Sequence, residues 1–167
     1  KYGLDYASIA AFNPGIIYCS ITGFGQTGPY SHRSGYDFLI QGMGGLMSIT
    51  GQPDGTPGGS PMKVGVAVCD LFTGMFAANA ALAALAYRSR TGIGQHIDCA
   101  LLDSQISMLA NQSANWLNAE ICPDRMGNSH PSVVPYTVYE AKDGFVIIAC
   151  GNDTVSYTHL RAHETYD

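Results

Sequence analysis

The sequence is poor in charge. Only 13% of its 167 residues are Asp, Glu, Lys or Arg, and eight basic side chains face thirteen acidic ones, for a formal charge of -5. No basic cluster is present, which argues against a nucleic-acid partner, and any anionic ligand must be met by a few placed cations. Cysteine is sparse and unpaired in pattern. Cys19, Cys69, Cys99, Cys122 and Cys150 are odd in number and contain no Cys-x-x-Cys pair. They read as reduced core residues of an intracellular protein rather than a disulfide framework or a zinc site. His159 and His163 have helical i, i+4 spacing, but Leu160 follows His159 where a zinc helix of the His-Glu-x-x-His type needs glutamate, so no metal centre is expected. Glycine and polar residues interrupt every apolar stretch before the ~20 residues of a membrane span, and no secretory leader is seen at the start. These absences favour a cytoplasmic protein with no membrane partner. What is there is apolar: 46% of the residues are hydrophobic, enough for a globular core. The missing initiator methionine before Lys1 reads as an internal piece of a longer protein.

Strand-like and helix-like segments follow one another along the chain. Ile16–Ile21 reads as a strand leaving Asn13-Pro-Gly, followed by a loop, Thr22–Pro29, that glycine and proline keep irregular and that is placed to shape a pocket. Asp37–Ser48 reads as a glycine-weakened helix, and Thr50–Pro61 as a mobile, turn-rich connection. Val64–Cys69 is β-branched enough for a buried strand, Phe76–Tyr87 has helical propensity, and Thr91-Gly-Ile-Gly94 ends that helix beyond Arg88 and Arg90. A short strand, His96–Cys99, precedes a long helix, Ala100–Asn118, with Leu101, Leu102, Ile106, Leu109 and Trp116 as core positions. His96 reads as a core histidine. Residues 119–135 carry prolines in quick succession and read as a linker. Pro135–Glu140 and Phe145–Cys150 form a hairpin that opens a second unit, 136–153.

One residue stands out for chemistry. Asp70 falls between the expected strand Val64–Cys69 and the alanine-rich helix, at a strand-to-helix junction. In open α/β sheets ligands bind beyond the carboxyl ends of strands, so an acid there is a candidate reacting group. Asp is also a preferred helix N-cap, worth about 1 kcal/mol, and the local pattern alone favours the cap.

Taken in order, Gly23-Phe-Gly-Gln-Thr-Gly-Pro29, Gly35-Tyr-Asp37, Gly44-Gly-Leu-Met-Ser-Ile-Thr-Gly51, Val64–Asp70, Thr91-Gly-Ile-Gly-Gln95 and Arg125-Met-Gly-Asn-Ser-His-Pro131 resemble the class III CoA-transferases. That family includes formyl-CoA and carnitine CoA-transferases and α-methylacyl-CoA racemase. The resemblance runs from Lys1 to about Asp153 and covers the middle of a family member. It implies an α/β fold, with a Rossmann-like large-domain portion over residues 1–118, a linker, and the start of a smaller α+β domain, in an interlocked homodimer. Beyond Asp153 the text departs from the family. Residues 154–167 resemble translated adapter sequence and are set aside as a non-native tail.

The resemblance turns the expectation for Asp70 from cap to nucleophile. It implies transfer of CoA from an acyl-CoA, succinyl-CoA among the donors, to a carboxylic acid through an aspartyl-CoA thioester, with CoA thioester as substrate and no permanently bound cofactor. It also implies that Lys1, Arg33, Ser34, Gly35, Tyr36 and Asp37 line the CoA and substrate pocket. Racemases of the family carry histidine where this chain has Tyr36. A tyrosine, with an ordinary pKa of about 10, is a poor proton shuttle at neutral pH, so the transferase is favoured over the racemase. A non-catalytic CoA-binding fragment is the alternative of another class.

Overall fold

The computed structural model describes residues 2–161, which form two compact units. The first comprises residues up to Ser48 together with Lys63–Pro123; the second comprises Ile49–Met62 and the residues from Asp124 onward. Helices and strands mix as in the α/β class, with seven helices and four strands among the described residues.

In the first unit, helix α1 (Tyr6–Phe12) leads to strand β1 (Ile17–Thr22). Helices α2 (Asp37–Met43), α3 (Leu46–Ile49, whose last residue counts with the second unit) and α4 (Val68–Thr91) follow, then strand β2 (Gln95–Ala100), α5 (Leu101–Met108) and α6 (Asn111–Ala119). β1 and β2 pair in parallel, from Ile17 opposite Gln95 to Thr22 opposite Ala100, as a crossover connection requires. α4 is the crossover element and packs against both strands and α5. Its buried Cys69, Thr73, Ala77 and Ala84 fall near helical spacing, so small side chains let the helix lie close. Ile40 of α2, Cys69 of α4 and Leu101 of α5 make the buried core, with Phe24, Val68, Leu102 and Met108 packed around it. Full burial of such aliphatic side chains is worth about 1.5 to 3 kcal/mol each.

Several expectations are corrected here. Residues 64–67 form no strand, because their backbone is gripped by side chains of α2 instead of a neighbouring strand. α4 begins at Val68 and runs through the segment expected to start at Phe76. By length and composition alone it is apolar enough to cross a bilayer, so single polar residues such as Asn79 do not interrupt the run. The expected long helix Ala100–Asn118 is two helices, broken at Ala110, which has a left-handed φ of 47°. Trp116, assigned to the core, is 55% exposed, and Ile106 is 46% exposed. The cysteines are free, but Cys19 and Cys122 are exposed, since alternation along β1 turns Cys19 outward and Cys122 lies in irregular chain after α6.

The second unit contains the expected hairpin, strands β3 (Tyr136–Ala141) and β4 (Gly144–Ala149), antiparallel from Tyr136 opposite Ala149 to Ala141 opposite Gly144. Lys142 and Asp143 make its turn. The Thr50–Pro61 connection is not a free loop. The Met62 amide donates to the Thr50 carbonyl at 3.2 Å, the Gly127 amide donates to the Gly51 carbonyl at 3.0 Å, and the Arg125 guanidinium pairs with the Asp54 carboxylate. These contacts close the loop at its base and tie it to residues 125–127. Helix α7 (Asp153–Arg161) ends the described chain. His163 and Lys1 lie outside the described residues.

Candidate active site

The site is assembled at the carboxyl end of β1. The Gly25 amide donates to Thr22 Oγ1 at 3.0 Å, turning the chain as it leaves the strand, and the Leu102 amide at the start of α5 donates to the Gly23 carbonyl at 3.1 Å. Gly23 and Gly35 touch backbone to backbone, so that a Cβ on either would strike the other's Cα. Only glycine at both positions permits this approach. It brings the Gly35-Tyr36-Asp37 segment and the start of α2 against the end of the strand.

From there Asp37 reaches α4. Its Oδ1 accepts the Cys69 amide at 2.8 Å, and its Oδ2 accepts Gln41 Nε2 at 2.7 Å. Gln41 Oε1 in turn accepts the Val64 amide at 2.8 Å. Gln41 is fully buried, and its amide is satisfied on both ends, as a buried polar group must be. The amides at the two ends of the expected strand, those of Val64 and Cys69, are therefore bound by two side chains one turn apart on α2.

Asp70 follows at once, in the first turn of α4 and exposed. It is not the cap: that position belongs to Ala67, which makes no capping hydrogen bond through its side chain. An acid in the first turn is favoured by the helix dipole by roughly 0.3 to 1 kcal/mol. Its neighbour Cys69 is buried at 0% exposure, and its thiol is pushed up to about 12. Burial is the main cause, followed by the charge of Asp37, a hydrogen bond to Asp37 and the charge of Asp70. The thiol thus stays protonated and inaccessible, and the carboxylate beside it is the open group.

Arg33, Ser34 and Tyr36 are all exposed, with Tyr36 at 76%. The Tyr36 ring packs little against the described residues. The Arg33 guanidinium lies 4.4 Å from the centre of the Tyr30 ring, and Tyr30 meets Phe24 edge to face. Phe24 and Tyr30 belong to a groove of about 320 Å³ formed by the Thr22–Pro29 loop, with Asp98 and Asp103 on its other side. Asp70 is not among the groove's lining residues. His96 is exposed rather than a core residue; it stacks on Tyr6 at 5.0 Å, and its Nε2 is 3.0 Å from Ser20 Oγ. Among the described residues no group of His, Cys, Asp and Glu is arranged to hold a metal.

The family model for CoA-transferase family III matches residues 1–165. The chain belongs to that family. It is 58% identical to a succinate–glutarate CoA-transferase of Agrobacterium fabrum over 153 residues, 92% of this chain and 37% of that protein. It is 50% identical to a succinyl-CoA:glutarate CoA-transferase of Mus musculus, again over 92% of the chain and 34% of the relative. The fold superposes on the crystal structure of a CAIB/BAIF family protein from Brucella suis with a TM-score of 0.81 and 54% identity, covering 96% of this chain and 41% of that one. The chain spans little more than a third of the length of these curated relatives.

In this family III chain the structure joins Gly35 and Asp37 to Asp70 through Cys69, and leaves Arg33, Ser34 and Tyr36 exposed on the segment that leads into α2. Gln41 was missed by sequence reasoning, although its place one turn after Asp37 puts both on one face of a helix. The pairing of Gly23 with Gly35 was missed as well, since nothing local to either glycine names the other.

Proposed function

We propose that the complete protein is a CoA-transferase that moves CoA from an acyl-CoA donor to a carboxylic acid, with Asp70 as the nucleophile. The exposed Asp70 carboxylate beside a buried, protonated Cys69 thiol carries this reading. The Asp70 carboxylate attacks the donor thioester carbonyl; the C–S bond breaks, CoA leaves as thiolate, and a mixed anhydride remains on the enzyme. The thiolate then attacks the aspartyl carbonyl, the donor acid leaves as carboxylate, and an aspartyl-CoA thioester is formed. The acceptor carboxylate runs the two steps in reverse, freeing Asp70 and giving the new acyl-CoA. Every electron pair is accounted for without an external reductant or water.

The Cys69 amide is engaged by Asp37, so the donors for the tetrahedral oxyanions come from other groups. Relatives named for succinate, glutarate and mesaconate support succinyl-CoA as donor and a short dicarboxylic acid as acceptor. Tyr36, Ser34 and Arg33, exposed ahead of α2, are assigned to CoA or acceptor contact, as is Lys1. Exposed Leu71, Met75 and Leu82 on α4 and Phe38 on α2 support a large covering surface in the complete protein, taken to be a Rossmann-like, interlocked homodimer of the cytoplasm.

The test is the mass of the Asp70 peptide after the complete protein is mixed with succinyl-CoA and quenched with hydroxylamine. A hydroxamate confined to that peptide and lost in Asp70→Ala is expected. Unmodified peptide despite demonstrated CoA binding removes Asp70 as nucleophile.

A further inference from the structure

We propose that Asp37 is a positioning residue for Asp70: with Gln41 it supplies from α2 the N-terminal cap that α4 lacks, and so fixes the backbone from which the carboxylate projects. The inference rests on the reading of Asp70 as nucleophile.

α4 begins after Ala67, a poor cap with no side-chain acceptor. The work of a cap, accepting an amide of the first turn, is done instead by Asp37 Oδ1 on the Cys69 amide at 2.8 Å, across 32 residues of sequence. Gln41 extends the grip backward. Its Oε1 holds the Val64 amide at 2.8 Å, and its Nε2 lies 3.5 Å from the Val66 carbonyl while donating to Asp37 Oδ2 at 2.7 Å. The chain entering α4 is thus fastened at Val64, Val66 and Cys69, and the last fastening is the residue before Asp70. Asp37 is itself set by the contact of Gly35 with Gly23, which ties the bracket to the end of β1.

Both Asp37 oxygens are already bound by protein groups, and the residue is half-buried. Its carboxylate therefore serves the helix rather than the CoA and substrate contact that the family resemblance implied for it. A nucleophile displaced by about 1 Å loses on the order of 100-fold in rate, so a bracket one residue away has catalytic weight.

The two bonding partners allow a test that separates hydrogen-bond pattern from charge. In Asp37→Asn the amide oxygen can face the Cys69 amide only by setting its nitrogen against the Gln41 nitrogen, donor against donor, so the side chain turns away and its hold on the Cys69 amide loosens. Adding Gln41→Glu restores the bond between positions 37 and 41 with its polarity reversed: the introduced amide nitrogen donates to the introduced carboxylate, whose other oxygen takes the Val64 amide, and only the long 3.5 Å contact to the Val66 carbonyl is given up. In the complete protein, Asp37→Asn is expected to lower kcat by roughly 10- to 100-fold with KM for the acyl-CoA within about twofold. The double variant regains most of kcat. Hydrogen exchange at the Cys69 and Asp70 amides follows the same order, about fivefold or more faster in the single variant and slowed again in the double, as loss and return of a cap require. Thermal unfolding of each variant separates these effects from loss of fold.

A double variant with restored amide protection but activity as low as the single variant overturns the inference, because the Asp37 carboxylate then meets the substrate itself. Unchanged exchange in Asp37→Asn overturns it too. Hydroxylamine trapping on the unaltered protein tests Asp70 separately: without an adduct the nucleophile and its positioning both fall, while an adduct leaves the exchange and rescue data to decide on Asp37 alone.

Discussion

Gly23, just past β1, and Gly35, just before α2, lie backbone against backbone, each filling the space where a Cβ of the other would sit. The obstacle on both sides is backbone, so no side chain can rotate away. Gly23→Ala or Gly35→Ala is expected to cost about 3 kcal/mol, at the upper end of overpacking, because the strand end and the α2 segment must separate. Urea unfolding of the two variants checks this, and a loss under ~0.5 kcal/mol would mean that the two segments are not in contact.

How much of this was legible in the sequence depends on where each bond closes. β1, β2 and the β3–β4 hairpin were readable because strand composition and turn residues lie within a few positions of each other. The end of α4 was readable from Gly92 for the same reason. α1 has a local signal too, since Asp5 accepts the Ser8 amide at 3.0 Å as an N-cap. The segment before α4 was misread because Val64–Cys69 has the composition of a strand, while the amides at its two ends, of Val64 and Cys69, are bound by Gln41 and Asp37, far away in sequence. The break at Ala110 carries no glycine or proline to announce it, and the Asn111 that follows opens α6. Asp70 is singled out as a candidate by position and resemblance. That it is a first-turn acid and not the cap required coordinates.

Cys69 makes stability depend on pH in a defined window. Its thiol is raised from an ordinary 9.0 to about 12 by burial, then by the charge and hydrogen bond of Asp37 and the charge of Asp70. Between those values the unfolded chain has lost a proton that the folded chain keeps, so the folded state binds more protons and stability falls as pH rises. Below about 9 the group contributes no slope. Urea midpoints measured from pH ~8 to ~11 should decline in the unaltered protein and decline less in Cys69→Ala. Equal slopes would place the thiol in contact with solvent.

Gly92 closes α4 with a φ of 75°, and its amide donates to the Arg88 carbonyl at 2.7 Å. A side chain in that left-handed position is strained even though open space surrounds it. Gly92→Ala should lose about 1 kcal/mol, and Gly92→Asn less, because asparagine tolerates the conformation. Matching losses for the two substitutions in thermal unfolding would show that the cap does not depend on backbone handedness.

Gly74 provides the opposite case and bears on catalysis. It lies inside α4, one turn beyond Asp70, with nothing within 4 Å of where its Cβ would be. Replacing a helix-interior glycine with alanine normally stabilises by roughly 0.5 to 1 kcal/mol, so the glycine is a cost the helix bears. Side chains point back toward the helix N-terminus, so a methyl group at Gly74 would stand over the turn that carries Asp70. Gly74→Ala is therefore expected to raise the thermal midpoint while lowering kcat/KM for acyl-CoA by roughly tenfold, the scale of one misplaced methyl in a fitted site. A variant that is more stable and fully active would show that the acyl group approaches Asp70 from another side.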